Sequence, residues 1–151
     1  MSTALATLLE QAESERDQIQ AAVQRAEEHA RRAQAQAEQL DGYRGEYQNR
    51  WSTQFRQLGA VEILHCYRSF GDRIDEALVQ QQQQIETAKA NLERLRQRLV
   101  AAETRVASVR KLIERRELER QRVQARRDQR QTDETAQQIR WRASQAESAQ
   151  H

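Results

Sequence analysis

Residues 74–113 read IDEALVQQQQQIETAKANLERLRQRLVAAETRVASVRKLI, and apolar residues recur in them every seven positions. One series places Leu, Ile or Val at positions 78, 85, 92, 99, 106 and 113. A second series runs from Ile74 through positions 81, 88, 95 and 102 to Val109. Two such series, flanked by charged residues, are typical of the a and d positions of a coiled coil. The stretch therefore predicts a long helix that packs along one narrow seam.

A weaker repeat with the same spacing occupies the first part of the chain. It comprises Leu5, Ala12, Ile19, Ala26, Ala33, Leu40 and Tyr47. The accompanying d positions include polar residues such as Glu15 and His29, while Val23 and Ala30 lie beside the row and widen it. An alanine-rich seam lets a partner helix approach closely. The first half therefore predicts the helix against which the second half packs.

Gly59 is the best place for the chain to reverse direction, because glycine readily takes the left-handed conformation that ends a helix. With a turn there, the numbers of facing residues add up to about 118, so small Ala26 opposes large Leu92. The predicted fold is all-α, a long antiparallel two-helix coiled-coil hairpin that forms a single domain. Its expected parts are helix 1 at about residues 3–58, a turn at 59–60, a longer helix 2 at about 61–138, and a frayed tail at 139–151.

Composition narrows the classes of function. Of 151 residues, 37% are apolar, 32% are charged and none is proline, which favours long helices over a globular enzyme. The three histidines and Cys66 lack the spacing of metal ligands, and no phosphate-binding loop is present. We therefore expect a protein that is not an enzyme and has no cofactor or metal. The lone cysteine, and the lack of a signal peptide or membrane span, predict a cytoplasmic location.

A basic segment follows the apolar repeat. Residues 110–130 hold nine basic and four acidic residues. Its arginines are Arg110, Arg115, Arg116, Arg120, Arg122, Arg126, Arg127 and Arg130. In the predicted register, the start of helix 1 faces about residue 116 of helix 2. Beyond that residue, helix 2 has no partner and continues as an unpaired overhang. This segment is a solvated helix face, a protein-binding surface or a nucleic-acid-binding surface, although the last lacks interleaved aromatic residues.

The aromatic residues are concentrated near the expected turn. Six of the seven fall within 28 residues, namely Tyr43, Tyr47, Trp51, Phe55, Tyr67 and Phe70. They either cap the core of the hairpin or form a binding patch, because exposed aromatic clusters mark interfaces.

Several spaced residues together resemble the FliJ family of flagellar export proteins. The run Gln36-x3-Leu40-x2-Tyr43-x3-Tyr47 is followed by Gly59, by Tyr67-x2-Phe70-x3-Ile74-x2-Ala77-x3-Gln81, and finally by Asp133-Glu134. The resemblance implies an antiparallel coiled coil similar to the central stalk of rotary ATPases. It further implies binding to the hexameric ring of the export ATPase FliI, to the export gate protein FlhA and to export chaperones. Such a protein regulates the ATPase and supports flagellum assembly, motility and chemotaxis.

Together with the aromatic clustering, the resemblance implies two sites. The expected export-gate patch is Gln36, Leu40, Tyr43, Tyr47, Phe70, Ile74, Ala77 and Gln81, and the arginines of residues 110–130 are expected to bind the ATPase ring. The protein would then lie at the cytoplasmic face of the cell membrane, held there only through the export apparatus. A virulence type III secretion stalk, a generic coiled-coil scaffold and a nucleic-acid clamp remain alternatives.

Overall fold

The computed structural model describes residues 2–58 and 61–150, without the side chains of residues 55–58. It contains helix α1, Thr3–Leu58, and helix α2, Val61–Ala149. The two helices, of 56 and 89 residues, pack against each other. No strand occurs in the described residues. This confirms the predicted all-α fold with a longer second helix.

The helix boundaries follow from local chemistry. Ser2 precedes α1, and its carbonyl oxygen accepts a hydrogen bond from the N–H of Ala6 at 3.1 Å, as expected of a residue at the helix start. Glu62 lies in the first turn of α2, where its negative charge interacts favourably with the helix dipole. The reversal predicted at residues 59–60 lies outside the described residues.

The end of α2 differs from the expectation. A frayed tail was predicted from residue 139, but α2 continues to Ala149. The sequence of this part lacks proline and glycine and contains several Ala, Gln and Arg residues, so nothing in it interrupts the helix.

The described residues divide into two compact units, and the first is the central unit, Glu13–Glu103. Its apolar core is built from both helices and comprises Ile19, Val23, Ala26, Leu92, Leu95 and Ala102. Ion pairs between the helices join Glu27 to Arg96 at 3.4 Å and Arg44 to Asp75 at 3.3 Å. Residue numbers rise along α1 as they fall along α2, so the helices are antiparallel. The sums of the paired numbers lie close to the predicted 118.

The buried face of α1 is narrower than the heptad assignment predicted. Glu15 and His29, which occupy d positions, are exposed, whereas Val23 is buried. Val23 belongs to the neighbouring e positions, as does Ala30, which packs against the core. Burying these apolar side chains turns the polar d residues towards solvent, because exposing Val23 and burying a carboxylate would both cost free energy.

The second unit, here called the terminal unit, contains the residues up to Ala12 and those from Thr104 onward. Leu5 and Ala12 of α1 are buried in it, as are Val106 and Val109 of α2. Every described side chain from residue 124 to residue 150 is exposed. No described side chain of α2 beyond Val109 is buried, and Ile113 and Val123 are half-buried.

Candidate functional site

Four aromatic rings contact one another across the two helices of the central unit. Tyr47 and Trp51 come from α1, and Tyr67 and Phe70 come from α2. The ring centroid of Tyr47 lies 4.4 Å from that of Phe70, 5.6 Å from that of Tyr67 and 5.7 Å from that of Trp51. Aromatic pairs at such distances are stabilised beyond their burial of apolar area. Tyr47 is therefore the centre of an aromatic cluster that joins the two helices.

The environment of Tyr47 disfavours ionisation of its hydroxyl group. The pKa of Tyr47 is raised above its ordinary value, first because partial burial disfavours the phenolate. The nearby Cys66 and Tyr67 raise this pKa further, since a second negative charge beside them is unfavourable. A tyrosine is already neutral at physiological pH, so this raised pKa leaves the charge of the ring unchanged.

Part of this aromatic surface faces solvent. Phe70 is 46% exposed and Tyr43 is 54% exposed. The phenol oxygen of Tyr43 accepts a hydrogen bond from Nε2 of Gln39 at 3.0 Å. Phe70, which belongs to the cluster, and Tyr43, which does not, therefore present large apolar faces to solvent.

The eight residues of the expected gate patch differ in their accessibility. Gln36, Tyr43 and Phe70 are exposed, and Leu40, Tyr47 and Ala77 are half-buried. Ile74 and Gln81 are buried between the helices. Six of the eight residues are thus at least partly accessible to solvent, while Ile74 and Gln81 are not.

Gln81 connects the two helices through its amide group. Its Nε2 donates a hydrogen bond to the backbone oxygen of Ala33 at 2.8 Å and another to Oε1 of Gln36 at 3.3 Å. The side chain is only 8% exposed, and buried amides are costly unless they are hydrogen-bonded in this way. Gln36 and Gln81, which the sequence analysis assigned to one patch, are therefore in direct contact.

A cavity of about 180 Å³ lies beside the aromatic cluster. Its lining residues are Arg44, Tyr47, Gln48, Tyr67, Arg68, Gly71, Asp72, Ile74 and Asp75. The ion pair between Arg44 and Asp75 belongs to this lining. The sequence did not predict the cavity, and the eight-residue gate patch leaves out Trp51 and Tyr67, although both were among the clustered aromatic residues. The spacing of Trp51 four residues after Tyr47 indicates a shared helix face, and this signal was available.

The arginines of residues 110–130 are all exposed and lie on α2 in the terminal unit. Arg120 is engaged by its own helix, since its Nη2 lies 2.7 Å from Oε1 of Glu117 and its Nε lies 3.1 Å from Oε2. The hydrogen bond from Arg120 lowers the pKa of Glu117 below its ordinary value. One of the nine positive charges is therefore largely offset within the helix.

The later arginines are less engaged. Arg116 and Arg120 line a surface cavity together with Leu5 and Ile113. Among the described residues, no ion pair is formed by Arg122, Arg126, Arg127 or Arg130. Among the described residues, Lys111, Arg115 and Arg116 form no ion pair either, so positive charge is available to a partner along most of the segment.

Within the described residues, no helix has an apolar stretch long enough to cross a membrane. The fold and the two surfaces place the protein among the antiparallel coiled-coil proteins. More specifically, the chain belongs to the family of the flagellar FliJ protein, whose family model matches residues 1–145. Membership of this family indicates a non-catalytic component of flagellar protein export. No curated protein and no solved structure matches the chain.

Proposed function

We propose that the chain acts in flagellar type III protein export as a coiled coil that binds two partners. One partner is the export gate protein FlhA, and the other is the hexameric ring of the export ATPase FliI, which the chain enters like a central stalk. In this role it also escorts export chaperones and regulates the ATPase. It thereby supports flagellum assembly, motility and chemotaxis from the cytoplasmic face of the membrane.

The observation that carries the gate assignment is the packing of Phe70. Its ring lies 4.4 Å from that of Tyr47, centroid to centroid, yet it is nearly half exposed. A ring held by its neighbours loses little conformational entropy when a partner covers it. Exposed aromatic residues of this kind are enriched among the few side chains that dominate binding energy. Phe70 is therefore the proposed anchor for the export gate.

The ATPase assignment is supported by the exposed arginines at residues 122–130. Their planar guanidinium groups bind carboxylates through two parallel hydrogen bonds, which lysine does not do. Residues 110–130 contain no aromatic residue, so the base stacking typical of single-stranded nucleic-acid binding is missing. An acidic protein surface fits this segment better than a nucleic acid does.

The test of the gate assignment is the variant Phe70→Ala. We expect its affinity for purified FlhA to fall at least about tenfold, because truncating an aromatic anchor removes much of the binding energy. Helicity measured by circular dichroism is expected to stay unchanged. Trp141→Ala is the matched control, since Trp141 is an aromatic residue of the terminal unit with 62% exposure. Its affinity for FlhA should equal that of the original chain.

Two results would contradict the assignment. Unchanged gate binding by Phe70→Ala would show that the aromatic surface is not the site. A loss of helicity in Phe70→Ala would show instead that the ring serves mainly to cap the core of the hairpin.

A further inference from the structure

Glycine occurs at the same level of both helices of the central unit. Gly42 and Gly45 belong to α1, and Gly71 belongs to α2. The numbers of facing residues here add up to about 118, as the contacts between the helices show, so Gly71 lies opposite residues 46–47. At a rise of about 1.5 Å per residue, the three glycines fall within about 7 Å along the helix axes. Together they form what is here called the glycine level.

The fold does not require glycine at these positions. All three lie inside helices without a left-handed backbone conformation, and a Cβ atom added to any of them would meet nothing within 4 Å. Glycine inside a helix is destabilising relative to alanine, because it loses more conformational freedom on folding. The glycines therefore weaken α1 and α2 at the same level.

Packing across the glycine level adds little support. The buried side chain nearest to the start of α2 is Ile74. Among the described side chains, none is buried at residues 34–54 of α1 or 61–73 of α2. The ion pair between Arg44 and Asp75 crosses this level, but both side chains are about half exposed, and such pairs contribute little to stability. Few buried contacts are typical of segments that open locally.

The parts on either side of the glycine level are joined more firmly. On one side, the ring of Tyr47 contacts three other rings, and its centroid lies 4.4 Å from that of Phe70. Such aromatic pairs are stabilised beyond their burial of apolar area. On the other side, the amide of Gln81 hydrogen-bonds across the helices, and the apolar core follows. A weak level thus lies between two stable parts.

We propose that the glycine level is a hinge, at which the aromatic end of the central unit bends relative to its seam. The aromatic end comprises residues 47–54 and 61–70. Sharp bends in helices have a few identifiable causes, and glycine is among them. Here the weakening affects both helices, so they bend together, and the contacts between the rings keep the aromatic end intact as it moves.

The hinge divides the expected gate patch. Gln36, Leu40 and Ala77 lie on its seam side, whereas Tyr47 and Phe70 lie on its aromatic side. A partner that covers both sides holds the hinge in one orientation. This consequence rests on the proposed function, in which the partner is the export gate protein FlhA.

Residual dipolar couplings of the backbone amides test the hinge in the free chain. In a rigid rod, every segment shows the same degree of alignment. We expect the aromatic end to align more weakly than residues 78–100 by at least about a tenth, as bending over more than about 20° produces. Residues 20–27 are the control within the seam. They should align like residues 78–100, because neither segment contains glycine.

The decisive variant combines Gly42→Ala, Gly45→Ala and Gly71→Ala. It raises helix propensity and meets no steric obstacle, so its aromatic end should align as strongly as its seam. The matched control combines Ser14→Ala and Thr87→Ala, two exposed positions of the central unit away from the glycine level. These changes also favour helix, but they should leave the weaker alignment of the aromatic end unchanged.

Two results would overturn the inference. Equal alignment of the aromatic end and the seam in the original chain would show that no hinge exists. A weaker alignment that persists in the triple alanine variant would show that the glycines do not cause it.

Purified FlhA tests the consequence for the gate separately, since its addition should abolish the difference in alignment. If FlhA binds and the difference persists, FlhA does not cover both sides of the hinge, and the consequence is wrong. If FlhA does not bind, the gate assignment is wrong, whereas the hinge itself is decided by the couplings of the free chain.

Discussion

Gln81 shows how a single polar residue can define the pairing of two helices. It occupies a seam position between Ile74 and Ala88, both of which are buried apolar residues. A leucine at this position would pack against several facing positions of α1. The amide instead finds its partners at Ala33 and Gln36, and a shift of α1 along α2 would leave it buried without them. Buried polar residues set the register of coiled coils in this way, at some cost in stability.

The variant Gln81→Ala tests this role. We expect the free energy of unfolding to fall by about 1–2 kcal/mol, since a buried hydrogen bond and some packing are lost. Gln36→Ala removes only the longer hydrogen bond of an exposed residue, so its effect should be below about 0.5 kcal/mol. Urea unfolding followed by fluorescence of Trp51, in a Trp141→Phe background, gives both values. Equal losses in the two variants would argue against a special role for Gln81.

At the scale of the helices, the sequence predicted α2 better than α1. Every residue of the α2 series that runs in steps of seven from Ile74 to Val109 is buried. This repeat is regular and made mostly of large side chains. In α1 the row from Leu5 to Ala33 is also buried, but its d positions include polar residues, so they specify the second half of the seam poorly. Glu15 and His29 are exposed as a result. Pattern alone does not fix the rotation of α1 about its axis, since it depends on the packing of both helices.

The burial of two residues of the predicted gate patch could be expected from the heptad repeat. The heptad assignment itself placed Ile74 and Gln81 at seam positions, which implies burial, whereas the family resemblance assigned them to a binding patch. The structure shows both residues buried. Their proposed role is therefore to support the surface and not to contact a partner. The cavity at Gly71 depends on the positions of rings from two helices, which no local pattern specifies.

The proposed role of the basic segment of α2 leads to a charge-reversal prediction. Replacing both Arg126 and Arg127 with glutamate changes the charge by four without removing an ion pair of the described residues. Exposed charge pairs contribute up to about 1 kcal/mol each, so two reversals together should weaken stimulation of FliI by about tenfold or more. The effect should diminish at high salt, because screening removes the attraction in both proteins.

The matched control for this prediction reverses Arg140 and Arg142, which are exposed on α2 and lie beyond the segment. It has the same net charge and should stimulate FliI normally. The Arg126 and Arg127 variant should still bind FlhA. Normal stimulation by that variant at physiological salt would mean that the segment is only a solvated helix face.

For the whole molecule, the remaining question is whether each chain pairs its own two helices. The same antiparallel contacts would form if two chains exchanged α2, as in a generic dimeric scaffold. In the central unit, contacts pair residues whose numbers add up to about 118, as for Gln36 with Gln81 and Arg44 with Asp75. In the terminal unit, Leu5 and Ile113 line one cavity. A short connection between Leu58 and Val61 is compatible with this register in one chain. We therefore predict a monomeric hairpin.

Spin labels test the prediction in each unit separately. Gln34 and Lys89 line one surface cavity of the central unit, and Ser2 and Arg116 line one of the terminal unit. Cysteine labels at either pair, with the exposed Cys66 replaced by serine, should lie within about 20 Å, because packed helix axes are 8–10 Å apart. Refolding with an excess of unlabelled chain should leave both distances unchanged, since both labels belong to one molecule. If the short distances disappear on this dilution, the helices pair between chains, and the stalk proposed to enter the ATPase ring would be a dimer.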